Sequence, residues 1–207
     1  MNPVFSDKTK DLAPSAIREI FKSLTDPEMI SFAAGNPSPQ SFPVEKMSLI
    51  SQDIFQNDYV NAFQYSVTEG YTPLRELVKK RLASKFGINY PDDELIITTG
   101  GQQGIDLTAK VLCNEHDVVI TEDPSFIGAL NAFRAYNTRL VGVENEKDGI
   151  NVEKLEKAII ENPYCKLIYL IPTFQNPSGT TMSLEKRKRV IELANKYDKV
   201  ILEDMAS

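Results

Sequence analysis

Two rhythms of apolar and polar residues run along this chain. In the second half, short apolar runs at Leu95–Thr98, Val118–Thr121, Arg139–Val143, Lys166–Ile171 and Val200–Leu202 alternate with stretches whose apolar residues recur every three or four positions. The runs predict strands buried on both faces, and the stretches between them predict covering helices. Those helices fall at Ile105–Leu112, Phe126–Phe133, Val152–Ile160 and a segment capped by Ser183 that carries Val190, Ile191, Ala194 and Tyr197. Strand and helix in strict alternation mean βαβ units. The expected fold is therefore α/β, a three-layer α/β/α sandwich around a mostly parallel sheet. No internal repeat or low-complexity block interrupts it.

The first half is less regular. Residues 1–13 are polar and read as an arm. Pro14 opens an amphipathic stretch with Ile17, Ile20, Phe21 and Leu24, and residues 29–43 form a loop rich in Gly, Pro, Ser and Asn, long enough to suggest function. Pro43 suits the first turn of a helix through Met47, Ile50, Ile54 and Phe55. Thr72-Pro73 predicts an N-cap and first helical residue, with Leu74, Leu77, Val78, Leu82 and Phe86 on one face and Gly87 as the stop. The expected organisation is an arm and loop over 1–45, then one incomplete α/β domain over 46–207. The chain ends just after a strand pattern, where a covering helix is normally found.

Composition narrows the classes. A length of 207 residues gives about one domain, and 42% apolar with 25% charged residues is ordinary for a globular protein. The net charge of 23 − 29 = −6 argues against a general nucleic-acid binder. No run approaches the length of a membrane span, and the N-terminus lacks a signal-peptide order. Cys113 and Cys165 form no CxxC, and His116 is the single histidine, so neither a disulfide framework nor a Cys/His zinc site is expected. His116 reads as a surface loop residue and the cysteines as packing residues. A cytoplasmic protein is expected.

In a parallel sheet, ligands bind at the carboxyl ends of strands. Four polar or Gly-rich loops follow predicted strands: TTGGQQG (98–104), EDPSF (122–126), PTFQNPSG (172–179) and Glu203-Asp204. Gly100-Gly101-Gln102-Gln103-Gly104 follows a strand and opens a helix. It suits a phosphate, or serves as an ordinary tight turn. It is not a Walker motif, and Thr99 stands where a GxGxxG would begin. Asp204 reads either as the partner of a ligand cation or as a solvated residue past the strand end. Asn176 alone reads as a turn opener and Phe126 alone as core. The convergence of four such loops on one sheet edge outweighs each of them singly.

Taken together, these segments resemble the fold-type I pyridoxal-phosphate aminotransferases of class I/II, in particular the aminoadipate- and kynurenine-type enzymes. AAGNPSPQSFP (33–43) is similar to the family's substrate loop, and FQYSVTEGYTPLRE (63–76) to its QY-x(4)-G-x-x-x-LR motif. TTGGQQGIDL, EDPSF, PTFQNPSGTTMS and ILED follow in the family's order. The resemblance implies pyridoxal 5'-phosphate, an electron sink for amino-acid carbanions. It implies that Gly101 and Gln102 hold the phosphate and that Phe126 stacks on the ring, where the family usually has Tyr. It further implies that Asn176 donates to the ring oxygen and that Asp204 keeps the pyridine nitrogen protonated. Tyr65 is then expected to reach the phosphate of a second subunit and Gly35 to lie near the substrate, which implies a homodimer acting on an amino acid and a 2-oxo acid.

The sequence departs from the family in one respect. The Schiff-base lysine is expected in a Ser-x-x-Lys context some tens of residues beyond the pyridine aspartate, and no lysine of this chain lies beyond Asp204. The arginine for the substrate carboxylate is not found either. The expectation is an N-terminal portion, inactive by itself. Three other readings share parts of the pattern: the aminotransferase-like module of a transcription regulator, a carbon–sulfur lyase of the same fold, and a Rossmann-type dehydrogenase. The last leaves Asn176 and Asp204 without roles.

Overall fold

The computed structural model describes Val4, Ser6 and residues 37–205. The predicted helix near residues 17–24 and most of the loop over 29–43 lie outside the described residues. Those from 37 to Thr98 form one compact unit and those from Thr99 onward another.

In the first unit, a 3-10 turn at Pro39–Ser41 leads into α1 (Val44–Asn57), α2 (Tyr59–Phe63) and α3 (Thr72–Phe86). Pro43 sits one residue before α1. Tyr71, not Thr72, occupies the N-cap of α3, with Pro73 inside its first turn. Phe55 and Phe63 stack with centroids 5.8 Å apart and join α1 to α2. The apolar stripes of these helices stay exposed, including Met47, Ile50, Leu77 and Phe86.

The segment Leu95–Thr98, predicted as a strand, joins no sheet among the described residues. Its apolar content resembles a buried strand, but a strand is defined by its ladder. Here Ile97 N–H donates to Glu69 O (2.9 Å), and Leu95 O accepts from Arg75 Nε (2.7 Å). Arg75 also reaches Glu94 at 3.4 Å. Gly70 makes this approach possible. Its φ is +108°, and a Cβ there would stand 2.7 Å from Ile97 Cβ. Two fixed residues of the QY-x(4)-G-x-x-x-LR pattern, Gly70 and Arg75, thus hold the segment that runs into the glycine turn.

The second unit holds α4 (Gly101–Leu112), β1 (Val118–Asp123), α5 (Ile127–Ala135), β2 (Arg139–Glu146), β3 (Gly149–Ile150), α6 (Val152–Glu161), β4 (Cys165–Leu170), α7 (Leu184–Lys196) and β5 (Val200–Glu203). The strands lie in the order β3-β2-β1-β4-β5. All neighbours are parallel except β2 and β3, a short hairpin pairing Asn145 with Ile150. The two-residue β3 was not predicted, because it is too short to carry a period. Among the described residues the sheet has five strands, with β3 a member and Leu95–Thr98 not.

Period-two alternation sorts the core onto two faces. Val118, Ile120, Ile168 and Leu170 meet Leu155 and Ile159 of α6 and Val190 and Leu193 of α7. Val119, Leu167 and Tyr169 meet Ile105 and Ala109 of α4 and Ala129, Ala132 and Phe133 of α5. That is the expected three-layer α/β/α arrangement. Asn151 and Ser183 cap α6 and α7 by accepting from Lys154 N and Lys186 N. Lys186 joins the start of α7 to the β2–β3 hairpin through Glu146, Asp148 and Gly149 O. Burial alone would lower its pKa, but the bonds to Asp148 and Glu146 outweigh burial and hold it above the ordinary lysine range.

Two substitutions test this packing by urea unfolding. Ile168→Ala, at a fully buried position, is expected to cost about 2–5 kcal/mol. Gly70→Ala combines a positive φ with a clash against Ile97 and is expected to cost about 1–3 kcal/mol.

Candidate functional site

The carboxyl ends of β1, β4 and β5 share one edge of the sheet, and successive contacts join the loops that leave it. The glycine turn comes first. Thr99 N–H donates to Gln103 Oε1 (2.6 Å) and Gln103 N–H to Gly100 O (3.2 Å), which fixes the start of α4. The N–H groups of Gly101 and Gln102 lie in the first turn, where a helix offers no internal acceptor and its dipole is positive. No acidic side chain competes there.

The Gln102 side chain crosses to the β1 loop and donates through Nε2 to Gly128 O (3.0 Å). Phe126, the N-cap of α5, turns its half-buried ring onto the same glycine. A Cβ at residue 128 would stand 2.5 Å from Phe126 Cζ and 2.6 Å from Gln102 Oε1. Only glycine lets the ring and the amide close together. One residue before Phe126, the buried Ser125 hydroxyl has no hydrogen-bond partner among the described residues. Such an orphan costs about 1–3 kcal/mol unless a polar group arrives.

The β1 loop is tied in turn to the loop after β4. Glu122, 2% exposed, accepts from Ile171 N–H through Oε2 (2.8 Å). Gln175, equally buried, donates to Pro124 O (2.8 Å) and accepts from Ser178 N–H (2.8 Å). Burial raises the Glu122 carboxyl pKa above the ordinary range. The Ile171 amide and the nearby Asn145 and Gln175 side chains offset this only in part. Asn176 follows at the exposed tip of the loop.

Asp204 stands one residue past β5, half-buried, and its N–H donates to Leu170 O (2.9 Å). Its Oδ2 accepts from Tyr169 Oη at 2.7 Å. Tyr169 is fully buried, edge-on to Phe133 with centroids 5.5 Å apart. Burial first, and then the hydrogen bond and charge of Asp204, push the Tyr169 phenol far above its ordinary pKa, so it stays a donor. A core side chain thus fixes the rim carboxylate.

The second unit carries Phe126, Asn176 and Asp204 on loops that leave one sheet edge, with Gly101 and Gln102 at the start of α4 joined to them through Gly128. Tyr65 belongs to the first unit and is 99% exposed. Gly35 lies outside the described residues. Glu122, Gln175, Gly128 and Tyr169 were not singled out from sequence. The first two sit inside quoted motifs, and Tyr169 looked like one more apolar strand position. His116 is an exposed loop residue, and both cysteines are free. Among the described residues no acidic, His or Cys cluster could hold a metal, and no helix is long and apolar enough to cross a membrane. The edge offers donors for an anion, an aromatic face, an amide and a carboxylate.

Comparison with known proteins bears on the fold and the family. The profile of the family "Aminotransferase class I and II" matches residues 27–206. Aromatic-amino-acid aminotransferase 1 of Thermococcus litoralis is 37% identical over 204 residues, covering 97% of this chain and 49% of that protein. The crystal structure of Pyrococcus horikoshii kynurenine aminotransferase, in complex with PMP, superposes with a TM-score of 0.89 at 38% identity, covering 97% of this chain and 50% of that one. The α-aminoadipate aminotransferase of Thermus thermophilus, complexed with N-(5'-phosphopyridoxyl)-L-leucine, gives a TM-score of 0.84 at 36% identity over 98% of this chain and 49% of that one. The chain spans about half the length of the relatives it matches.

The buried Glu122 carboxyl gives a pH test. With its folded pKa raised, the native state binds more protons than the unfolded one. Stability then falls as pH rises through the unfolded value toward the folded one. Glu122→Gln keeps the acceptor for Ile171 N–H without the charge. Urea midpoints are expected to put this variant above the parent chain at pH 7.5, with the gap closing toward pH 4.

Proposed function

Because this chain belongs to the class I and II aminotransferase family, we propose that it is the N-terminal portion of a pyridoxal-phosphate-dependent enzyme that moves an amino group between an amino acid and a 2-oxo acid. The observation that carries this reading is the joined rim, in which Gln102 and Phe126 close on Gly128, Gln175 links the next loop, and Tyr169 fixes Asp204.

The donor set fits the cofactor. Gly101 and Gln102 offer N–H groups to its phosphate at the positive end of α4. Phe126 offers a flat face, by stacking alone, since it carries no hydroxyl. Asn176 supplies an amide donor for the ring oxygen. Asp204 favours the charged form of a ring nitrogen beside it, and Tyr169 leaves that carboxylate one oxygen to share. Once bound, pyridoxal phosphate supplies the electron sink for a carbanion at the amino-acid α-carbon.

The reading extends to a homodimer in which Tyr65 meets the cofactor phosphate of the second subunit and Gly35 lies near the substrate. The exposed Met47, Ile50, Val60 and Phe63 of α1 and α2 support such an interface, since apolar patches of this kind mark association surfaces. A cytoplasmic setting is supported by two cysteines that serve packing.

Titration of the 207-residue chain with pyridoxamine phosphate tests the cradle, because that amine cannot condense with surface lysines. Reversible binding is expected, weakened at least about tenfold, roughly 1.4 kcal/mol, by Asp204→Ala. Binding that ignores this substitution would overturn the assignment of Asp204. Failure of the parent chain to bind would overturn the cradle.

A further inference from the structure

We infer that Arg187 is a positioning residue for Asn176, holding the loop that presents this amide to the cofactor; the link to the cofactor rests on the function proposed above. The loop over 172–182 leaves β4 and returns into α7. Its own backbone closes it at three points: Met182 N–H donates to Pro172 O (2.8 Å) at the base, Gln175 N–H to Thr180 O (2.8 Å) nearer the tip, and Gly179 N–H to Gln175 O (2.6 Å) across the tip. Beyond Gln175 the residues Asn176, Pro177, Ser178 and Gly179 are all exposed.

Arg187, in the first turns of α7, grips both legs of the base with one guanidinium. Nε donates to Met182 O (3.0 Å) on the returning leg. Nη2 donates to Pro172 O (2.6 Å) and Thr173 Oγ1 (2.9 Å) on the leaving leg. All three acceptors are neutral. A full positive charge thus fixes two backbone carbonyls and a hydroxyl, where the planar fork matters more than the charge. Lysine has no fork and cannot span both legs with fixed geometry. Asn176 lies three residues beyond Thr173, so the spacing and tilt of the two legs set where its amide points. Gln175 fixes the tip against Pro124, and Arg187 fixes the base against α7. Rigid support of this kind is what holds a binding group within a fraction of an ångström.

The test uses the full chain and two readouts. In the ligand-free chain, Arg187→Met is expected to speed amide hydrogen exchange over 173–182 by about tenfold or more while β1 and β4 keep their protection. Arg187→Lys is expected to recover only part of that protection, and it carries the test if the Met variant does not fold. Unchanged exchange in the loop, or faster exchange throughout the chain, would overturn the positioning role. For the link to Asn176, pyridoxamine phosphate and its 3-deoxy analogue, which lacks the ring oxygen, are titrated against the parent, Asn176→Ala, Arg187→Met and the double variant. Arg187→Met should weaken pyridoxamine phosphate about as much as Asn176→Ala does, add little in the double variant, and leave the analogue nearly unaffected. Equal losses for both ligands would overturn the link. No binding by the parent would instead sink the cofactor reading, and the exchange result would still decide the role of Arg187 in the loop.

Discussion

The β1–β4 ladder ends at Thr121 and Tyr169, and the rest of the rim depends on how that ending is made. Where parallel strands diverge, their last N–H and C=O groups lose each other as partners, yet they are still buried and must be satisfied. Here side chains take over. Glu122 accepts the amide of Ile171, and Gln175 donates to the carbonyl of Pro124. The strands part by one side-chain length, and the opening between them is where the polar loops gather. The cost is a carboxylate in a dry place, visible in its raised pKa. A sheet edge built for stability alone has no need of it.

Much of this was legible in the sequence. Apolar runs of strand length alternating with helical stripes predicted β1, β2, β4 and β5 and the helices between them, because each is long enough to show its period. The same reasoning placed Leu95–Thr98 in the sheet. Composition records what a segment could bury, whereas strand membership depends on which backbone lies alongside, and for this segment that information sits in Glu69 and Arg75. The hairpin strand Gly149–Ile150 was invisible for the opposite reason, being too short for any pattern.

The candidate site divides in the same way. Phe126, Asn176 and Asp204 follow strands in sequence, and that adjacency brings them to one edge; Gly101 and Gln102 follow Leu95–Thr98, which pairs with no strand among the described residues, and are joined to that edge through the Gln102 contact with Gly128. The supporting residues do not announce themselves. Tyr169 reads as one more apolar strand residue until its hydroxyl is seen on Asp204, and Arg187 reads as a surface charge in a basic run until its fork is seen on two carbonyls. Supporting contacts are made across the fold, between residues 35 apart in one case, so local pattern cannot carry them.

Gly128 has a consequence for how this rim can vary over time. Even the smallest side chain there collides with both the Phe126 ring and the Gln102 amide. A replacement at 128 therefore has to push the ring and the amide aside and so opens the join between the two loops. In a lineage exploring sequence one replacement at a time, a smaller side chain at 126 or 102 removes that cost beforehand, which biases the historical order of changes through packing.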